Sequence, residues 1–159
     1  MPATRPSVAE RQVPSTSPEA TRALAAALAS AARAGDLIAL HGDLGAGKTQ
    51  FAKGFGAGLG VTATINSPSY VLMAEYIGRL PLFHLDLYRL DDAGDALAGG
   101  LLDERQAAGV SLVEWAERLG PALPLVRLDV VIEGTGDDPR TIRLTATGTD
   151  LERYLVAIP

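Results

Sequence analysis

The sequence contains no cysteine, which excludes disulfide scaffolds, thiolate metal sites and cysteine nucleophiles. That absence fits a reducing compartment, and the cytoplasm is the expected location. No apolar run approaches the ~18 residues that a membrane-spanning helix needs, and the N-terminus lacks the basic-then-apolar order of a secretion signal. No membrane association is expected. Positive charge is scarce as well: 14 Lys and Arg stand against 19 Asp and Glu, a net charge of -5. A broad nucleic-acid-gripping face depends on clustered Lys and Arg, so any contact with RNA is expected to be indirect. Of the two strongly basic types lysine is much the scarcer, with Lys48 and Lys53 set among twelve arginines. In a chain that favours Arg, Lys48 marks a position wanting a compact ammonium on a flexible stem and not a planar fork.

What is present is ordinary globular composition, 47% hydrophobic and 21% charged, in a length that suits one domain. Residues 1–16 carry three prolines and no periodicity, and read as a flexible leader before a single domain spanning 17–159. Ser17, Pro18 and Glu19 open a helix as N-cap, first-turn proline and early negative charge, with Ala20, Leu24, Ala27, Leu28 and Ala31 as its apolar stripe and Gly35 closing it. Strand-type runs follow at Asp36–Leu40, Ser69–Tyr76, Leu80–Leu87, Val110–Glu114, Leu125–Glu133 and Thr141–Thr147. The second and third of these join across Gly78-Arg79 as an antiparallel hairpin. Helical segments are expected at Lys48–Gly60, Asp91–Ala108, Ala116–Leu119 and Asp150–Ala157. The order describes one α/β sheet with antiparallel additions.

Gly42-Asp43-Leu44-Gly45-Ala46-Gly47-Lys48-Thr49 has the spacing of a phosphate loop, Gly, four residues, then Gly, Lys and Ser or Thr. The glycines let successive backbone N–H groups turn inward towards phosphate oxygens, and the following helix presents its positive end to the same anion. Lys48 would reach the β and γ phosphates of ATP, and the Thr49 hydroxyl would hold Mg²⁺, which prefers octahedral oxygen ligands. The motif follows an apolar strand and opens a helix, the context it requires. It makes the expected fold a P-loop NTPase-type three-layer α/β fold, with a mixed parallel and antiparallel central sheet and flanking helices.

Such a site also needs a carboxylate at the end of a neighbouring strand. Asp86 and Glu114 each end a strand-type run, at the edge where α/β sheets bind ligands. His84, Asp86 and Tyr88 share one face of the extended segment Leu82–Tyr88, while Phe83, Leu85 and Leu87 share the other. Taken singly, His84, Tyr88 and Arg89 read as packing or surface-pairing residues.

The phosphate loop, Ser67-Pro68-Ser69-Tyr70, His84-Leu85-Asp86-Leu87-Tyr88-Arg89 and Glu114-Trp115-Ala116-Glu117-Arg118 occur in that order, and with them the chain resembles the TsaE (YjeE) family from about Ser17 to about Gly148. The resemblance implies a bacterial ATPase required for threonylcarbamoyl modification of adenosine 37 in tRNA. It implies action on a TsaB–TsaD complex, whose turnover ATP hydrolysis supports, with tRNA held by the partners. It further implies that Asp43, Leu44, Gly45, Ala46, Gly47, Lys48 and Thr49 wrap the phosphates and that Thr49 and Glu114 hold Mg²⁺. Asp86 would support hydrolysis, Trp115 would lie beside the nucleotide or the partner, and Ser67–Tyr70 would form a switch-like loop. Ser69 replaces the family's usual Thr but keeps a hydroxyl, and Gln50 stands where a second Thr is common. The catalytic set is therefore Lys48, Asp86 and Glu114, with the division of work between the two carboxylates open. Two other readings suit a phosphate loop, a small-molecule kinase and a binding module that carries ATP as a structural ligand.

Overall fold

The computed structural model describes residues 5–43, 45–66, 73–88 and 107–159. Among the described residues seven strands form one sheet, in the order β1-β7-β6-β2-β5-β4-β3. They are β1 (Val8–Ser15), β2 (Leu37–His41), β3 (Met73–Ile77), β4 (Pro81–Asp86), β5 (Val110–Glu114), β6 (Arg127–Glu133) and β7 (Arg140–Thr147). The adjacent strands β6, β2, β5 and β4 run parallel. β7 and β1 extend one side in antiparallel pairing, and β3 joins β4 as the expected hairpin on the other. The four parallel strands end at one edge, where open α/β sheets place ligands.

Both sheet faces are apolar, as parallel strands in a covered sheet require. On one side, Ile38, Leu40, Leu82, Leu112 and Val130 pack with the helices α1 (Pro18–Ala29) and α2 (Lys48–Gly58) and with the short C-terminal helix α3 (Arg153–Val156). On the other, Leu37, Ala39, Phe83, Leu85 and Val113 pack with Ala116 and Leu119 of the 3₁₀ segment Ala116–Ala122. Gly120 kinks that segment before Pro121, which cannot continue a helix. No helix among the described residues is long and apolar enough to cross a membrane.

Helix α1 begins as its sequence dictates, with the Ser17 hydroxyl accepting the Ala20 N–H at 3.0 Å and Pro18 in the first turn. Its buried stripe is Thr21, Leu24, Ala25, Leu28 and Ala29, rotated from the expected one because α1 covers α2 as well as the sheet. The helix stops at Ala29, well before Gly35, which instead makes a left-handed turn into β2.

The reading of residues 1–16 as a flexible leader is corrected for Val8–Ser15, which form the edge strand β1 along the whole of β7. Much of β1 is exposed and it carries Pro14, so its own pattern is weak. Edge strands tolerate proline because one side of the ladder makes no hydrogen bonds. At its end the buried Ser15 hydroxyl lies 2.7 Å from that of Thr21, joining β1 to α1. Of the expected elements, residues 69–72 and 91–106 lie outside the described residues.

Candidate functional site

β2 delivers the chain to the C-terminal edge of the sheet between β5 and β6, and the glycine-rich loop then carries it into α2. Gly42, Gly45 and Gly47 have φ of +153°, +80° and +118°, a region costly for residues with a Cβ. At Gly42 a Cβ would also stand 2.7 Å from the Ile132 carbonyl oxygen, so the loop is seated directly on β6. At Gly45 and Gly47 it would meet no atom of the described residues within 4 Å beyond their chain neighbours, so the loop is open on that side.

Lys48 opens α2 and is 8% exposed, with its Nζ donating to the Gly42 carbonyl at 2.6 Å. Its ammonium also lies 4.8 Å from the centre of the Trp115 ring, a cation–π contact. Trp115 follows β5 directly and, among the described residues, is the one non-glycine residue with positive φ, at 59°. Such a conformation costs of order 1–3 kcal/mol and occurs where the surroundings over-determine it. Here the ring is held between Lys48 and Tyr88, whose ring centre is 5.0 Å away.

The two carboxylates expected from the sequence meet at this place. Asp86 and Glu114 are register partners at the ends of adjacent parallel strands, and both are buried. Alternation puts them on the sheet face that carries Leu82, Leu112 and Leu40, the face covered by α2. Glu114 Oε2 lies 2.8 Å from Nε2 of His84, a residue with no solvent exposure. The imidazole therefore orients the carboxylate, a role beyond packing, while its buried Nδ1 has no hydrogen-bond partner among the described residues. Asp86 Oδ1 accepts the Tyr88 N–H at 3.0 Å, which turns the chain as β4 ends. With Gly45, Gly47, Lys48, Thr49, Gln50 and Trp115, these carboxylates line a cleft of about 360 Å³.

Asp43 is exposed and borders a smaller hollow of about 190 Å³ behind Lys48 and Trp115. There His41 Nε2 lies 2.8 Å from Asp129. Burial pushes the Asp129 carboxyl up, but hydrogen bonds from His41 and Arg127 outweigh it and hold the group below its ordinary value. Ala46 is buried inside the loop, its N–H bonded to the Asp43 carbonyl at 3.0 Å. Gln50 faces Arg22 of α1 through a hydrogen bond to its guanidinium, so the position joins the two helices as well as lining the cleft. Leu44, Ser67–Tyr70 and Arg89 lie outside the described residues.

A second cleft, of about 420 Å³, adjoins the first along Gly45, Gly47 and Gln50 and runs between Ser15–Pro18 and the turn from Gly136 to Asp138. Its walls come from the N-terminus of α1 and from the β6–β7 connection, which no local signal in the sequence relates to the phosphate loop. Arg140, which binds the loop's carbonyls from this side, was likewise not apparent from the sequence.

The sheet order, the glycine loop between β2 and α2 and the carboxylates at the adjoining strand ends define a P-loop-type α/β protein. A crystal structure of YdiB from Bacillus subtilis superposes with a TM-score of 0.81 at 40% identity, covering 94% of each chain. Residues 15–142 match the family described as "Threonylcarbamoyl adenosine biosynthesis protein TsaE", and the chain belongs to that family. It is 48% identical over 136 residues to the tRNA threonylcarbamoyladenosine biosynthesis protein TsaE of Bacillus subtilis, covering 85% of each chain. With the like-named protein of Streptomyces coelicolor it shares 37% identity over 143 residues, covering 86% of this chain and 95% of that one.

Proposed function

We propose that the chain is a Mg²⁺-dependent ATPase that serves the threonylcarbamoyl modification of tRNA by acting on a TsaB–TsaD complex. The observation that carries the reading is the meeting of Lys48, Thr49, Asp86 and Glu114 in one cleft at the mouth of the glycine loop. The triphosphate fits along the loop, where Gly45 and Gly47 leave the backbone open. The nucleoside fits the adjoining cleft between Ser17 and the β6–β7 turn.

The donor set suits Mg²⁺. Among the described residues no group of three or more His, Cys, Asp or Glu side chains converges on a metal position. Mg²⁺ is ordinarily held by one or two protein oxygens together with phosphate and water, so Thr49 and Glu114 suffice as its protein ligands. When bound, the ion neutralises charge on the phosphate oxygens. Lys48 exchanges the Gly42 carbonyl for phosphate oxygens and stabilises the charge that develops as the terminal phosphoryl group leaves. Asp86 orients the attacking water, and His84 keeps Glu114 turned to the cleft. Trp115 covers Lys48 and limits water around it. The acidic chain leaves the tRNA to its partners, with the cytoplasm as the site of action.

The test is multiple-turnover threonylcarbamoylation of tRNA by TsaB and TsaD with and without this chain, with ATP hydrolysis followed in parallel. Wild type is expected to be required for product beyond one turnover, and Lys48→Ala to lower hydrolysis at least ~100-fold. Hydrolysis by Lys48→Ala at the wild-type rate removes the site assignment. Unchanged product yield with hydrolysis intact removes the tRNA pathway and leaves the ATPase.

A further inference from the structure

Arg140, the first residue of β7, spends its guanidinium on four backbone carbonyls drawn from two irregular segments. Nε donates to Ala46 O at 2.9 Å and Nη2 to Gly45 O at 3.1 Å, both in the glycine loop. Nη2 also donates to Gly136 O at 3.1 Å and Nη1 to Asp138 O, both in the turn between β6 and β7. Gly134 permits this closure, since a Cβ there would stand 2.8 Å from Arg140 Cδ. Only a planar fork with five N–H donors can serve so many acceptors from one side chain, and a lysine ammonium cannot replace it.

The direction of these bonds matters for the loop. In a planar trans peptide the C=O and N–H point to opposite sides. Drawing the Ala46 carbonyl towards Arg140 therefore turns the Gly47 N–H away from it. The positive guanidinium also polarises the peptides it binds. A glycine-rich loop has many conformations to lose on ligand binding, and fixing it in advance removes that cost from the binding step.

We infer that Arg140 is a positioning residue for the nucleotide. It clamps the carbonyls of Gly45 and Ala46, holds the loop in its anion-receiving conformation before ligand arrives, and ties it to the turn that walls the adjoining cleft. The inference rests on the reading of the loop as an ATP site. Because the clamp acts on loop order, it governs nucleotide affinity and leaves the chemical step to Lys48, Asp86 and Glu114.

The experiment uses the full chain as wild type, Arg140→Met and Arg140→Lys. Calorimetric titration with ATP and Mg²⁺, steady-state hydrolysis, and hydrogen exchange of residues 42–47 without nucleotide are measured for each. Arg140→Met is expected to weaken ATP affinity and raise KM roughly tenfold with kcat within about twofold, and Arg140→Lys to fall between it and wild type. Loop amides are expected to exchange faster while those of β2 keep their protection. Should Arg140→Met fail to fold, Arg140→Lys carries the same measurements. A folded variant with wild-type affinity and wild-type loop exchange overturns the clamp, as does a fall in kcat at unchanged KM. If wild type itself binds no ATP, the proposed function fails separately. Loop exchange then decides the clamp alone, faster exchange sustaining it and unchanged exchange overturning it.

Discussion

His84 and Glu114 are both buried, their side chains being 0% and 5% exposed. Removing one member of a buried hydrogen-bonded pair leaves the other without compensation, which costs more than the pair contributes when intact. His84→Leu is accordingly expected to lower the free energy of unfolding by ~3 kcal/mol, measured by urea denaturation. His84→Gln retains an N–H able to reach the carboxylate and is expected to lose less. Equal losses in the two variants would show that volume, and not the hydrogen bond, holds the position. At this scale much of the site was legible in the sequence. Gly42 to Thr49 form a contiguous pattern, and Asp86 and Glu114 each close a recognisable strand. His84 is different, because its partner lies on another strand 30 residues away and only pairing of β4 with β5 brings them together.

Between elements, the contact of α1 with α2 shows why one helix is rich in alanine and the other in glycine. A Cβ at Gly54 would stand 2.2 Å from the Arg22 carbonyl oxygen, and one at Gly58 2.5 Å from that of Ala26. The two backbones touch, and α2 packs in spite of the ~1 kcal/mol that each interior glycine costs a helix. Gly54→Ala would recover that propensity, yet the methyl group has nowhere to go without separating the helices. Overpacking ordinarily costs ~1–3 kcal/mol, and here the obstacle is backbone, so a net loss of ~2 kcal/mol or more is expected in chemical denaturation. A stabilised Gly54→Ala would mean that the helices can separate freely. The close approach matters to the site because α2 begins at Lys48, and Gln50 and Arg22 join the helices two residues further on. The strand β1 teaches the opposite lesson about patterns. With mostly exposed side chains and a proline near its end, it has little apolar alternation, and its ladder is supplied by β7 from the far end of the chain.

Over the whole molecule, the C-terminal helix is fastened back to the start of β2. Asp36 receives the Tyr154 hydroxyl at 2.5 Å and pairs with Arg153. Burial, and then the bond to Asp36, raise the Tyr154 phenol well above its ordinary value of 10.0, so the folded protein keeps a proton that the unfolded chain releases. This contribution to stability is therefore complete below about pH 10 and is lost as the pH rises further. Tyr154→Phe is expected to lose the hydrogen bond at neutral pH, lowering Tm there, and to flatten the decline above about pH 10. An alkaline decline as steep in the variant as in wild type would place the titrating group elsewhere. The sequence by itself determined the α/β class, the phosphate loop, the capped first helix and the carboxylates that end two strands. Each of these is a local pattern set by backbone geometry and side-chain periodicity. Only the tertiary structure decided that β1 is a strand, that His84 orients Glu114, that Trp115 lies over Lys48 and that Arg140 grips the loop. Those relations depend on pairing and packing between segments far apart in the chain, and no local spacing of residues encodes them.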